Sequence, residues 1–170
     1  AGAARGTIGV ERRRGSRRGT RRRDAEGTHT VARSIYIASP NAGTGKSTVA
    51  LGLIVCLTKV VAKVGVFRPF VDSRDEDPFL NLLLARSGSA TPAAQCIGVT
   101  WDEYHAAPEE SLSRIVDAYR AVARDHDVVI IDGSDFTDVA GTPELDLNAR
   151  VAANIGVPVL LVVSGRGAPE

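Results

Sequence analysis

The residue types best suited to chemistry in this sequence lie in the segment 39–48, which reads SPNAGTGKST. Gly43 and Gly45 allow backbone conformations that gather successive N–H groups around an anion, and an adjoining helix start would add partial positive charge. Lys46 is placed to reach outer phosphates as a compact cation, and the hydroxyl of Ser47 suits Mg²⁺. The segment therefore predicts a phosphate-binding loop, whose candidate residues are Gly43, Thr44, Gly45, Lys46, Ser47 and Thr48.

One position departs from the usual pattern of such loops, GxxxxGK[ST], because Pro40 stands where the first glycine is expected. The match therefore consists of the core GTGKST and the elements on either side of it. The alternative interpretation is an inherited turn with a purely structural role. Lys46 argues against that alternative, since a structural turn does not require a cation at this place.

A carboxylate follows another apolar segment, VVII at residues 128–131. In proteins with this type of loop, an acid at such a strand end holds Mg²⁺ directly or through water, so Asp132 is the predicted partner of Ser47. The plainer alternative is an aspartate that only terminates its strand. Arg68 directly follows the apolar segment VGVF at residues 64–67 and is expected to face the same crevice. There it would pair either with a bound anion or with a surface acid.

A series of short apolar segments must position these residues, and their spacing predicts strands that alternate with helices. Strands are predicted at residues 34–39, 64–67, 96–100, 128–131 and 157–163, and Pro69 is expected to stop the second of them. Helices are predicted at residues 47–63, 78–86, 108–124 and 143–155, with loops at residues 87–95 and 133–142. Because the strands are continuous apolar runs, they indicate a parallel sheet that is covered on both faces.

The predicted fold class is α/β, a three-layer domain with a mainly parallel sheet and a ligand crevice at the carboxyl ends of the strands. The sequence stops in a loop after the strand at residues 157–163, where a further helix is expected. We therefore expect a sheet that is incomplete at this edge. Such an edge would be covered by further sequence or by a partner.

Composition narrows the classes of function. Hydrophobic residues make up 44% and charged residues 24% of the 170 positions, as in ordinary globular domains, and no apolar run in the sequence has the length of a membrane span. Cys56 and Cys96 are too few for a disulfide framework or a four-cysteine zinc site, and they suit a reducing compartment. We therefore expect a cytoplasmic protein.

Charge is distributed unevenly along the chain. Residues 1–30 include nine arginines and carry a net charge of +6, whereas the other 140 residues carry −5. We expect residues 1–30 to form a disordered extension and residues 31–170 to form the domain. The lack of Met and the position of Val31 before the first strand favour a natural start near Val31. A basic arm for RNA or anionic surfaces is the alternative, but the acidic remainder argues against a nucleic-acid partner.

A family resemblance is carried by three segments, SIYIASPNAGTGKSTVALGL, VGVFRPF and DVVIIDGSDFTDVAGTPELDLNARVAANIGVPVLLVVSGRG. Together they resemble the N-terminal domain of the long, multidomain bacterial phosphate acetyltransferases in their actinobacterial form, over about residues 32–167. That domain is in turn similar to dethiobiotin synthetase, which has a P-loop NTPase-like fold. The resemblance implies a regulatory and assembly-promoting domain. The parent reaction, acetyl-CoA + phosphate ⇌ acetyl phosphate + CoA, would take place in a separate C-terminal domain that this chain lacks.

The resemblance also implies ligands and partners. Many members of the family lose the loop lysine, whereas Lys46 and Ser47 remain here, so the expected effector is ATP or another nucleotide with Mg²⁺, or a simpler anion. The expected partners are the C-terminal acetyltransferase domain and further copies of the chain. Two alternatives remain: an ATP-dependent, carboxylate-activating enzyme of dethiobiotin synthetase type, and an interaction domain with a relic loop. The dethiobiotin synthetase family has Lys-Pro where Arg68-Pro69 stands here, and arginine cannot act as a deprotonatable amine as lysine can.

Overall fold

The computed structural model describes residues 32–40, 43–134 and 144–165, in which strands and helices alternate. The strands are β1 (Arg33–Ala38), β2 (Val64–Val71), β3 (Ile97–Thr100), β4 (Val128–Asp132) and β5 (Val159–Leu161). The helices are α1 (Lys46–Leu57), α2 (Pro78–Ser87), α3 (Trp101–Ala106), α4 (Pro108–Ala123) and α5 (Glu144–Ile155), and a 3-10 turn spans Ala93–Cys96. The predicted extension at residues 1–30 and most of the predicted loop at 133–142 lie outside the described residues.

The strands form one sheet in the order β3-β2-β4-β1-β5, and neighbouring strands pair in parallel. The predicted α/β fold with a parallel sheet is therefore confirmed. In the register of β1 with β4, Ile37 lies opposite Asp132. Because β1 leads into the predicted phosphate-binding loop, this pairing brings the loop beside the acid that ends β4.

The sheet lies between two helical layers. On one side α1 and α2 pack against each other, and on the other α4 packs between α3 and α5. The most amphipathic helix is α4, which buries Leu112, Ile115, Tyr119 and Val122 against the strands. The Tyr119 ring meets the Phe67 ring edge to face at 5.9 Å. Within the described ranges, no helix has both the length and the apolar character that crossing a bilayer requires.

The predicted end of the second strand is wrong. β2 continues through Pro69 to Val71 instead of stopping at Phe67. Phe67 is the last residue of β2 that pairs with β4. On the other side, Arg68 and Phe70 pair with β3, whereas Pro69 between them does not. Proline is tolerated where a strand has lost one neighbour, because its missing N–H then interrupts little of the ladder.

Two helical predictions also need correction. The helix predicted for residues 47–63 ends at Leu57. Beyond it the chain forms a turn in which the N–H groups of Val60 and Val61 both donate to the Leu57 carbonyl. The helix α3 was not predicted. It begins with a capping box in which Thr100 Oγ1 accepts from the Glu103 N–H and the Thr100 N–H donates to the Glu103 carboxylate.

Candidate phosphate-binding site

The loop between β1 and α1 depends on two glycines in the left-handed region. Gly43 has φ of +71° and Gly45 has φ of +87°. Residues other than glycine rarely adopt this backbone conformation. A Cβ at either position would meet nothing within 4 Å, so the requirement is conformational rather than steric. Gly45 precedes α1 without a side-chain cap in the described part of the loop. The first N–H groups of α1 therefore need an acceptor from outside the helix.

Lys46, the first residue of α1, points inward toward the end of β4. Its Nζ donates to Asp132 Oδ1 at 2.5 Å and to the Gly133 carbonyl at 2.6 Å. The side chains of Lys46 and Asp132 are 1% and 0% exposed. Burial of two charges is tolerated when they pair and form further hydrogen bonds, as they do here. The lysine and the acid that the sequence analysis singled out therefore lie in direct contact.

Arg68, which lies within β2 rather than at its end, borders the same crevice. Its Nε is 3.4 Å from Asp132 Oδ2, and its Nη1 pairs with Asp77 Oδ2. Asp77 also caps α2, since its Oδ1 accepts from the Leu80 N–H at 2.8 Å. Two cations and two carboxylates thus form a continuous, charge-balanced network. Asp77 received no role from the sequence, because its contact with Arg68 depends on how the polar loop after β2 folds back.

The hydroxyl-bearing residues of the loop differ in exposure. Ser47 is half-buried and Thr48 is exposed, both in the first turn of α1. Thr44 Oγ1 is buried and has no hydrogen-bond partner among the described residues. An orphaned hydroxyl next to an uncapped helix start fits a site that accepts a polar ligand.

Mg²⁺ is the metal that the loop pattern implies, and the donors fit it. The Ser47 hydroxyl and the Asp132 carboxylate are hard oxygen ligands, and Mg²⁺ usually takes one or two such ligands and completes its shell with phosphate and water. No group of three His, Cys, Asp or Glu side chains suited to a metal occurs in the described ranges. Both carboxylate oxygens of Asp132 lie near cations, so a metal would compete with Lys46 and Arg68 for them.

A cleft of about 270 Å³ opens beside this network. Its lining includes Arg68, Asp72, Asp77, Trp101 and Ser134, so it borders the charged groups at the carboxyl ends of β2 and β4. A larger cleft of about 770 Å³ lies at the amino end of β1, between α4 and α5. Residues 43–48 line neither cleft, but the smaller cleft is lined by Arg68 and Asp77 of the ion-pair network and the larger one is not.

Asn148 supports the site and was not predicted from the sequence. Asn148 of α5 accepts from Tyr36 Oη at 2.7 Å and from the Ser134 N–H at 3.0 Å, and it packs against Gly133. The signal that could have found it is a polar residue within the apolar stripe of an amphipathic helix, since its α5 neighbours Leu147 and Val151 are buried.

The chain is similar in sequence to known proteins. A family model described as "AAA domain" matches residues 33–168. The chain is 29% identical to a phosphate acetyltransferase of Nitratidesulfovibrio vulgaris over 154 residues, which are 80% of this chain and 20% of that protein. It is 27% identical to a phosphate acetyltransferase of Synechocystis sp. over 142 residues, which are 79% of this chain and 20% of that protein. The chain thus spans about one fifth of the length of these relatives, and the predicted resemblance to a domain of bacterial phosphate acetyltransferases is confirmed.

Proposed function

Because this chain belongs to the AAA domain family, we propose that it is a nucleotide- or phosphate-binding domain of a phosphate acetyltransferase, and that it regulates and helps to assemble that enzyme. The parent reaction is acetyl-CoA + phosphate ⇌ acetyl phosphate + CoA. Two relatives bear the name of this activity, and the chain corresponds to about 20% of each. That small share supports acetyl transfer by another part of the protein, at its C-terminal side.

The observation that carries the binding proposal is the position of Lys46. It starts a helix just after two left-handed glycines, and its ammonium bonds Asp132 and the Gly133 carbonyl. A helix start offers N–H groups and partial positive charge to an anion, and a lysine adds a full charge. The buried hydroxyl of Thr44 supports the same conclusion, because an anion would supply its partner.

In the proposed complex, backbone N–H groups from Gly43 to Ser47 bind phosphate oxygens. Lys46 donates to an outer phosphate while it keeps the Gly133 carbonyl, and Arg68 continues to balance the charge of Asp132. Ser47 and Asp132 would hold Mg²⁺, which supplies positive charge to the phosphates when it is bound. The network of Lys46, Asp132, Arg68 and Asp77 is thus charge-balanced before binding and holds the ammonium in position for a polyanion.

The direct test is isothermal titration of the chain with MgATP, MgADP and tripolyphosphate, with Lys46→Ala as the variant. We expect Lys46→Ala to weaken binding by about 1.5–3 kcal/mol, as for the loss of a hydrogen bond to a charged group. Lys59→Ala is the matched control, because Lys59 is exposed just beyond α1 and distant in sequence from the loop. No binding at millimolar ligand, or equal binding by the wild type and Lys46→Ala, would contradict the proposal.

The parent activity needs a separate assay. The chain alone should form no acetyl phosphate from acetyl-CoA and phosphate, whereas the chain joined to an acetyltransferase domain should do so. Acetyl transfer by the isolated chain would contradict the proposed division of roles. Phosphoryl transfer from ATP to a carboxylate, abolished by Lys46→Ala, would instead favour an enzyme of dethiobiotin synthetase type.

A further inference from the structure

The interior of the domain contains an asparagine on the helix that precedes β5. Asn148 is 0% exposed and follows the buried Leu147 on α5. A buried amide is unfavourable unless hydrogen bonds replace those it made with water. The hydrogen bonds of Asn148 are made to Tyr36 in β1 and to Ser134, two residues beyond Asp132.

The amide of Asn148 is oriented by its partners. Oδ1 accepts from Tyr36 Oη at 2.7 Å and from the Ser134 backbone N–H at 3.0 Å. Nδ2 lies 3.4 Å from both the carbonyl and the hydroxyl oxygen of Ser134. Because a backbone N–H can only donate, the amide atom opposite the Ser134 N–H must be the oxygen, and the amide nitrogen then faces the Ser134 oxygens.

The residue before Ser134 connects this amide to the loop lysine. The Gly133 N–H donates to the Ile37 carbonyl at 2.9 Å, and its own carbonyl accepts from Lys46 Nζ at 2.6 Å. A Cβ at Gly133 would lie 2.5 Å from Asn148 Oδ1 and 2.7 Å from the Ile37 carbonyl oxygen, so the segment is held closely from both sides.

We infer that Asn148 is a positioning residue for the Lys46 ammonium, acting through the backbone at Gly133 and Ser134. Asp132 attracts the ammonium by its charge, and the Gly133 carbonyl supplies a second acceptor that fixes its direction. Without Asn148 that carbonyl would move, and Lys46 would pivot about Asp132. The inference deepens the proposed function and rests on it for its effect on ligands, because it makes α5 part of the phosphate site.

The first test needs no ligand. Hydrogen exchange of the Lys46 ammonium is measured by NMR in the wild type, Asn148→Ala and Tyr36→Phe, and Lys46→Ala assigns the signal. We expect exchange about 3- to 10-fold faster in Asn148→Ala, the equivalent of one ordinary hydrogen bond, and a smaller change of the same sign in Tyr36→Phe. Asn154→Ala is the control, because Asn154 is exposed on the same helix and bonds the Arg150 carbonyl. If Asn148→Ala does not fold, Tyr36→Phe decides, and unchanged exchange in the folded variants would overturn the inference.

The second test separates positioning from general support of the fold. Tripolyphosphate binding is compared for Asn148→Ala in the wild-type and the Lys46→Ala backgrounds. A positioning role predicts affinity about 3- to 10-fold weaker in the first background and nearly unchanged in the second, since the effect passes through one hydrogen bond to Lys46. Equal losses in both backgrounds would overturn it. If the wild type does not bind tripolyphosphate but Lys46 exchange still responds to Asn148, the proposed function fails and the positioning role stands.

Discussion

Lys46 Nζ and Asp132 Oδ1 lie 2.5 Å apart, and hardly any of either side chain reaches solvent. Removing both charges from water costs free energy, which their attraction and their further partners must offset. Arg68 contributes from 3.4 Å on the other carboxylate oxygen, and the Gly133 carbonyl accepts from the ammonium. The ion pair thereby couples the stability of the domain to the group proposed to bind phosphate.

Lys46→Met tests this coupling, because it leaves Asp132 buried with Arg68 as its remaining cationic neighbour. We expect the free energy of unfolding to fall by about 3–5 kcal/mol, as for other buried pairs that lose one partner. Lys46→Met combined with Asp132→Asn should recover most of the loss, since no unbalanced carboxylate remains. Urea unfolding followed by circular dichroism measures both. Equal losses in the single and the double variant would mean that the buried charge is not the cause.

Gly133→Ala tests how closely the end of β4 is packed. The new Cβ would lie 2.5 Å from Asn148 Oδ1 and 2.6 Å from Tyr36 Cε1, so we expect an overpacking cost of about 1–3 kcal/mol. Gly52→Ala is the control, because Gly52 lies within α1 with nothing within 4 Å of its Cβ position. It should stabilise the protein by about 0.5–1 kcal/mol through helix propensity. A stable Gly133→Ala protein would contradict the close packing described here.

The parts of the fold that were predictable are those that local pattern determines. Glycine and lysine spacing identified the loop, and a buried apolar run ending in Asp132 identified β4. The contact between Lys46 and Asp132 follows from the parallel pairing of β1 with β4, which alternating strands and helices already favoured. This is why the loop lysine and the acid could be assigned to one crevice from the sequence.

The other features depend on contacts between distant segments. Pro69 is accommodated because β4 ends before it, which no local pattern reveals. Asp77 reaches Arg68 only through the fold of the loop after β2, and Asn148 reaches Ser134 across the interior. The capping box at Thr100 was readable in principle, but the helix it starts has only 6 residues and little apolar periodicity.

The pH dependence of stability should show the environment of Glu103. Partial burial acts to raise its pKa, but hydrogen bonds from Thr100, Arg114 and Arg74 outweigh burial and lower the pKa from 4.5 to about 2. Because the folded-state pKa lies below the unfolded value, this stabilisation is complete above about pH 4.5 and is lost as the pH falls toward 2.

Glu103→Gln measures that contribution, since glutamine keeps an oxygen for the Thr100 N–H but loses the charge that attracts the arginines. The wild type should be more stable than the variant by about 1 kcal/mol at pH 6, the scale of solvent-screened ion pairs. The difference should shrink as the pH approaches 2. Glu110→Gln, at an exposed position of α4, is the control. A constant difference across the whole range would contradict the role of the ionised carboxylate.

The two thiols should differ strongly in reactivity. Burial raises the pKa of Cys96 to about 11, and the residue is 0% exposed, whereas Cys56 is exposed on α1. The thiolate is the reactive form, so Cys56 should react with Ellman's reagent at pH 8 and Cys96 only after denaturation. Cys56→Ser should abolish the fast phase. Two fast phases in the folded wild type would show that the packing around Cys96 opens readily.

The exposed edge of the sheet predicts self-association of this chain. Val159, Leu160 and Leu161 are 39–48% exposed in β5, whose described pairing is with β1. Apolar edge strands with unused backbone groups tend to pair with other chains. Sedimentation analysis should therefore show association that rises with concentration.

Val159→Lys and Leu161→Lys, two residues apart and so on one face of the strand, should each weaken this association. Val60→Lys is the control, because Val60 is 80% exposed but lies after α1, away from the edge. An equal effect of Val60→Lys, or a wild type that remains monomeric at every concentration, would remove β5 as the contact.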